Sequence, residues 1–488
     1  MRTMRIAWVA LVSSLVLVAA GCGGDNLGAG QGSAAEQLNT GALVYWETES
    51  DPDSDQWQQA EELLKRFPDG EKWIAALRKE VESEGEVTWE GDIKPALGAQ
   101  IAVAVYGTSM SDVSFVGLTN PDDPDKTVAL VEQLNESNAD ESDAVARVVD
   151  DWVVIAEEAA DIDAALKAES GQALSEDDGF EAAMEELPDD SLSRVYVDAA
   201  AALELFGTLD PETRSALQMF GLEGLEFAGA WAKAEEKGAE LALTLRGEGA
   251  DRLLGTGDPF SSKLLDRVPA DAWAFYTFRG DAARQQFERF RDNPLYSMGL
   301  REVEQELGVQ FSDIVALFEG EVAFYSRPGA PIPELTLLLD AENPEQARAS
   351  AERLLRSLAE RAGGEVTEDG DVTTAVFDEF AVNLGTTEGA VVLSTSKDPF
   401  SGGAEDSLGD SDRYKDALAA AGAPDEYTGL AYVDLAEAVE LLLGYTAVAD
   451  EDVPAEVRRN LEPLRSLVAY GEEDGNIASQ LVFLEIGE

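Results

Sequence analysis

Apolar positions along the chain change period several times, and each period predicts an element. Leu241, Leu243 and Leu245 alternate with Ala242, Thr244 and Arg246, the two-residue repeat of a half-buried strand. Val482, Leu484 and Ile486 form one face of another strand. Asp474-Gly475, Lys237-Gly238 and Asp369-Gly370 lie beside such runs and read as hairpin turns. Elsewhere the spacing is helical, as in Trp57, Ala60, Leu64 and Phe67, and again in Ala347, Ala351, Leu354, Leu355 and Leu358. One apolar run has no such period: Ile6 to Ala20, broken only by Ser13 and Ser14.

The landmarks occur twice in the same order. Ala42-Leu43-Val44-Tyr45 is matched by Ala272-Trp273-Ala274-Phe275, and Asp92-Ile93 with Gln100-Ile101-Ala102 by Asp313-Ile314 with Glu321-Val322-Ala323. Asp123-Pro124-Asp125 is matched by Asn343-Pro344-Glu345, Pro188 by Pro424, and Tyr196-Val197-Asp198 by Tyr432-Val433-Asp434. The pattern predicts two tandem copies, residues 41–255 and 266–488, joined through the Gly-, Ser- and Pro-bearing stretch 255–262. Each copy mixes roughly seven short strands with roughly four or five helices. Frequent hairpins favour an α+β fold, a mixed and largely antiparallel sheet with packed helices.

The run from Ile6 to Ala20 follows Met1-Arg2-Thr3-Met4-Arg5 and is too short for a membrane span, which needs roughly 20 residues. It ends in Ala19-Ala20-Gly21-Cys22, which resembles a bacterial lipobox, although Ala19 stands where Leu is commoner. By that resemblance residues 1–21 are a signal peptide, and Cys22 carries the lipid that holds the protein to the membrane outside the cytoplasm. The Gly-, Ser- and Ala-rich residues 22–40 then read as a flexible tether, about 25 Å long as a coil.

Composition narrows the chemistry. With 98 acids against 35 bases the formal charge is −63, which opposes nucleic acid and anionic headgroups as partners. The chain has no His and a single Cys, which excludes imidazole catalysis, His-ligated zinc and intrachain disulfides. No cofactor motif is present.

The lipobox, the tether and the paired blocks together resemble the bacterial lipoprotein family carrying domain of unknown function 3352. The resemblance implies architecture and location for residues 41–488, and no activity or site residue.

The remaining motifs read first as structure. Asn343 and Asp123 precede Pro344 and Pro124 as helix starts, and Asp198 and Asp434 follow strand ends as helix caps. Asp51, Asp53, Asp55 and Glu62 imitate the acid spacing of a calcium loop, but Gln56 replaces the glycine the loop needs, so they are weak metal candidates. Ser394-Thr395-Ser396-Lys397 fits a Ser-x-x-Lys pattern without its helical context. Trp46, Trp57, Trp73, Trp89, Trp152 and Trp231 fall in the first copy, as core packing or as the lining of an apolar cavity. No catalytic residue emerges. The expectation is a non-enzymatic envelope binding protein for a hydrophobic ligand or an envelope partner. The alternatives are a carboxylate-dependent cell-wall hydrolase and an envelope scaffold.

Overall fold

The computed structural model describes residues 32–83, 87–109, 112–137, 144–166, 171–207, 222–255, 257–281, 284, 301, 304–305, 310–318, 320–330, 332–377, 380–397, 399, 406–448 and 453–488. Cys22, the signal segment and residues 22–31 of the expected tether lie outside them. The chain divides into two compact units. One ends at Ala250 and includes Ile486–Glu488; the other is Asp251–Glu485. Both are α+β with antiparallel sheets.

The first unit is built around β1 (Val44–Glu49), with β2 (Gly98–Tyr106), β3 (Ser114–Pro121), β4 (Val145–Val149), β5 (Trp152–Ala156), β6 (Ser193–Asp198), β7 (Leu225–Glu235) and β8 (Gly238–Gly247). Their order is β4–β5–β3–β2–β1–β6–β7–β8, each neighbour antiparallel. The second unit starts from β9 (Ala274–Arg279), with β10 (Gly320–Arg327), β11 (Glu334–Ala341), the hairpin β12 (Glu365–Asp369) and β13 (Val372–Val376), β14 (Ala381–Thr387), β15 (Ala390–Ser394), β16 (Gly429–Asp434), β17 (Leu464–Asp474) and β18 (Ile477–Ile486). Its ladders give β12–β13–β14–β15–β11–β10–β9–β16–β17, again antiparallel. The strand order of the first unit recurs, with β12–β13 added at one edge.

Register makes positions comparable. Glu47 pairs with Ala102 on one side and Arg194 on the other; Thr277 pairs with Ala323 and Leu430 in the second unit. Each sheet buries one face in a large core. Tyr45, Phe180 and Tyr196 meet edge to face there at 5.2 and 5.1 Å between ring centres. In the second unit Tyr414 and Tyr432 do so at 5.1 Å, over Phe275.

On the opposite face lies α4 (Pro124–Ser137) in the first unit and, in the second, α9 (Pro344–Ala362). The chain also forms α1 (Ala34–Gln37), α2 (Asp55–Lys65), α3 (Gly70–Ser83), α5 (Ala159–Ala165), α6 (Asp178–Met184), α7 (Ala199–Gly207), α8 (Phe311–Val315), α10 (Asp412–Ala420), α11 (Leu435–Val448) and α12 (Ala455–Leu461). Among the described residues no helix is long and apolar enough to cross a membrane.

Two sequence expectations need correction. The segment expected as tether is folded from Ser33 onward: Ala34, Ala35 and Leu38 are fully buried and Ala34 N–H donates to Gln100 Oε1 at 3.1 Å. Its linker-like composition hid a short apolar knob. On β8, Leu241 and Leu243 are exposed while Ala242 and Thr244 are buried, because Trp231 and Phe227 of β7 set the core face. On β18, Val482 and Leu484 are half-buried and Ile486 is buried, while Phe483, backed by Leu481, enters the large core from the other face.

Helix caps follow the sequence reading. Asn343 Oδ1 accepts from Gln346 N–H ahead of Pro344, and Gly363 ends α9 at φ 72°. Asp198 Oδ1 accepts from Ala201 N–H at 2.8 Å, and Asp434 Oδ1 from Glu437 N–H at 3.0 Å.

Candidate functional site

Two places stand out, one in each unit. The first is a cleft of about 410 Å³ in the first unit, between α6, β6 and the segment around Ala35. Strand alternation puts Tyr45 and Glu47 on the core face of β1, and register brings Arg194 of β6 beside Glu47. Arg194 Nη2 and Nε both reach Glu47 Oε1, at 2.5 and 2.8 Å, and Nη1 reaches the exposed Asp189 at 2.7 Å. Glu47 Oε2 accepts from the Tyr45 hydroxyl and from Gln100 Nε2, each at 2.7 Å.

Glu47 is almost wholly buried, so an unpaired charge there would be costly; the four donors offset that cost. Burial, then the adjacent Glu47 charge, push the Tyr45 hydroxyl well above its ordinary range, so it serves as a donor. Burial works against the Arg194 charge, and Glu47 with Asp189 more than offset it, leaving the guanidinium above its ordinary value. With its oxygens engaged, Glu47 is placed to organise the cleft floor and not to transfer a proton.

At the matching position of the second unit the chemistry has moved. Thr277 and Leu430 replace Glu47 and Arg194, and the carboxylate is Glu321, where the first unit has Gln100. Glu321 Oε1 accepts from Ser262 Oγ at 2.5 Å and Thr277 Oγ1 at 3.0 Å, and Oε2 accepts from Lys263 N–H at 2.8 Å. Leu430 is fully buried among core residues.

The second place is an aromatic row on the face of the second sheet opposite its large core. Phe275 and Thr277 point into that core, so Tyr276 and Phe278 project the other way. Cross-strand pairing sets Phe324 against Tyr276, and Leu337 against Phe324. Tyr276 lies 5.3 Å from Phe278 and 6.5 Å from Phe324, with the rings 28° and 20° from parallel. Phe278 continues to Phe318 at 6.2 Å and into the cluster beneath α9. The outer end is open: Tyr276 is 46% exposed, Phe324 42% and Leu335, on the same face of β11 as Leu337, 57%. In the first unit the matching pair is Trp46 and Val103, both half-buried, and Trp46 Nε1 donates to Ser193 Oγ at 2.7 Å.

The residues singled out by sequence are placed elsewhere. Asp51 Oδ1 accepts from Asp53 N–H at 2.8 Å, Ser54 caps α2, Asp55 opens it, and Glu62 lies along it. Among the described residues no three acids gather as a metal would require. Ser394 ends β15 and shares a 2.7 Å hydrogen bond with Thr336, outside any helix. The tryptophans do not converge: Trp152, Trp89 and Trp57 belong to three separate apolar clusters. Sequence reading missed both sites. The available signal for the row was Phe275-Tyr276-Thr277-Phe278, which puts aromatics on both faces of one strand.

Comparison with known proteins gives a family and little more. The model of a family described as "Protein of unknown function (DUF3352)" matches residues 126–485. No curated protein matches the chain. Two solved structures show a likeness. "Structure of crystal form III of TP0453" is 12% identical, covers 48% of this chain and 82% of its own, and has a TM-score of 0.24. "Structure of crystal form I of TP0453" is 11% identical, covers 46% and 86%, and scores 0.23. Scores this low carry no argument about the sites.

Proposed function

The chain belongs to the family described as protein of unknown function (DUF3352), and on that premise we propose that it is a lipid-anchored extracytoplasmic binding protein without catalytic activity. It binds a hydrophobic ligand, or the apolar face of an envelope partner, at the Tyr276–Phe324 row. The observation that carries this reading is the open end of that row. Three large apolar side chains exposed on this one face, Tyr276, Phe324 and Leu335, amount to roughly 300 Å², the scale of patch that is often functional. They continue into a packed core and so sit on a rigid floor. Attachment through Cys22 would hold this surface near the membrane, on a tether now shortened to the residues before Ser33.

Two experiments test the reading. Cys22→Ala is expected to release the protein into soluble fractions; retention in the membrane argues against the anchor. Native mass spectrometry with lipid extraction, on the protein purified gently from its own membrane, is expected to show a stoichiometric adduct. Tyr276→Ser/Phe324→Ser should remove it. If the protein carries no adduct, and an apolar fluorescent probe binds the double variant as well as the parent, the row is not a binding surface.

A further inference from the structure

The outer edge of β4 in the first unit supports an inference that does not depend on the aromatic row. We propose that this edge takes up an extended segment of a cationic partner protein as one more antiparallel strand. Strand β4 bonds to β5 on one side, and among the described residues no strand pairs with its other side. The two-residue turn Asp150-Asp151 sets the phase of that hairpin. Val145, Arg147 and Val149 therefore bond to β5, and the N–H and C=O groups of Ala146 and Val148 point outward.

The second unit shows the matching edge occupied. Counting back from the hairpin turn, Leu384 of β14 stands at the place of Ala146, and Val382 at the place of Ala144. There β13 lies along the edge, with Thr373 opposite Leu384 and Ala375 opposite Val382. In the first unit the Asn135 side chain stands in for that strand at Ala144. Its Oδ1 accepts from Ala144 N–H at 3.0 Å, and its Nδ2 donates to the Ala144 carbonyl at 2.8 Å. The amide reaches no further along the edge, which leaves Ala146 and Val148 for an added strand.

The outermost strands of the two units also differ in protection. In the second unit β12 exposes Glu365, Glu368 and Asp369, charges that deter a further strand. In the first unit β4 carries one charge, Arg147, which is already held by Asp163 at 2.5 Å. The rest of β4 is Val and Ala, and Val148 is 45% exposed. A strand edge of this kind is a template for pairing.

Charge selects the occupant. Glu132 and Glu136 are exposed one turn apart on α4, beside Asn135, while Asp150 is exposed at the turn and Asp163 on α5. A second copy would bring the same acids, and a formal charge of −63, against them. A strand of short branched residues flanked by Lys or Arg meets both needs. Its backbone completes the ladder and its flanks face the carboxylates.

The test uses the full-length protein in detergent and a fluorescent peptide, Lys-Val-Thr-Thr-Ala-Val-Lys, which is the β13 sequence with Lys at each end. Fluorescence anisotropy is expected to show saturable binding, with slowed hydrogen exchange at the Ala146 and Val148 N–H groups. The same peptide with Glu at each end should bind about tenfold more weakly, and one with proline at its centre not at all. Val148→Pro removes an outward N–H without touching the β5 ladder, and should abolish binding. Glu132→Lys/Glu136→Lys, on the exposed face of α4, should reverse the preference between the Lys and Glu peptides. Absence of saturable binding overturns the proposal. So does equal binding of the proline peptide, or binding that is unaltered in both variants. Protection of Ala146 and Val148 that grows with protein concentration alone would overturn it in favour of a second copy.

Discussion

The two units place a buried carboxylate one strand apart and still satisfy the same need. In the first, Glu47 lies on β1, and Gln100 on β2 relays it to the Ala34 N–H. In the second, Glu321 on β10 takes the Ser262 hydroxyl and the Lys263 N–H directly, while Thr277 on β9 donates to it. In both, the chain enters the unit with backbone donors that require a buried acceptor. What the fold holds constant is the satisfied acceptor, not the strand that supplies it. Moving the acid off β9 frees the neighbouring position for Leu430. Keeping it on β1 demands Arg194, and with Arg194 comes the cleft.

The largest expected effect breaks that pairing. Arg194→Leu alone leaves Glu47 buried without its counter-charge and should destabilise the first unit by about 3–5 kcal/mol. Adding Glu47→Thr should recover most of the loss, because the pair then matches Thr277 and Leu430. Urea unfolding followed by a probe local to the first unit measures both. If the double variant is no more stable than the single, the two positions are not interchangeable between units. Glu321→Ala should come next, at about 2–4 kcal/mol in the second unit, since it strands Thr277 and the entering segment at once.

These carboxylates also show where sequence reading stops. The alternation that makes β8 a strand, and the match of Tyr45 to Phe275, were legible because they are periodic and local. The match of Gln100 to Glu321 was legible as a pair of landmarks. Its meaning was not, because the partners of Glu321 lie far from it in sequence and only register brings them together. Leu241 and Leu243 failed for a related reason: which face of a strand is buried depends on the neighbouring strand, here on Trp231. The knob at Ala34, Ala35 and Leu38 was lost to composition, since small apolar residues among glycines look the same in a tether and in a tight packing contact.

The opposite faces of the two sheets differ in exposure at one row. Trp46 in the first unit is half-buried and hydrogen-bonded, whereas Tyr276 and Phe324 in the second stand in solvent. Trp46→Ser should cost about 2 kcal/mol, while Tyr276→Ser and Phe324→Ser should each cost below about 1 kcal/mol, the range of an exposed cross-strand pair. Thermal unfolding of the three variants checks this. A large loss at Tyr276 would make the row a structural element and remove its support for binding.

The smallest effect concerns Asp92 and Asp313, which the repeat pattern pairs. Both carboxyls lie below the usual Asp range: Asp92 through hydrogen bonds from the Thr88 hydroxyl and N–H, Asp313 chiefly through the hydrogen bond from Arg353. A carboxyl lowered in the folded state binds protons more tightly when unfolded. Each therefore stabilises the fold fully above the ordinary Asp range, and the contribution fades as pH falls through the lowered value. Arg353→Leu should remove less than about 1 kcal/mol at neutral pH, because Arg353 is half exposed and the pair is screened. The two variants should separate with salt. Asp313 loses a charged partner in Arg353→Leu, so its effect should shrink at high ionic strength. Asp92 loses only the neutral hydroxyl donor in Thr88→Ala and keeps the backbone N–H, so its effect should persist. Stability of both variants across pH 3–7 at low and high salt would show whether the units reach the same protonation state by different chemistry. Identical salt responses would mean that Arg353 acts through geometry rather than charge.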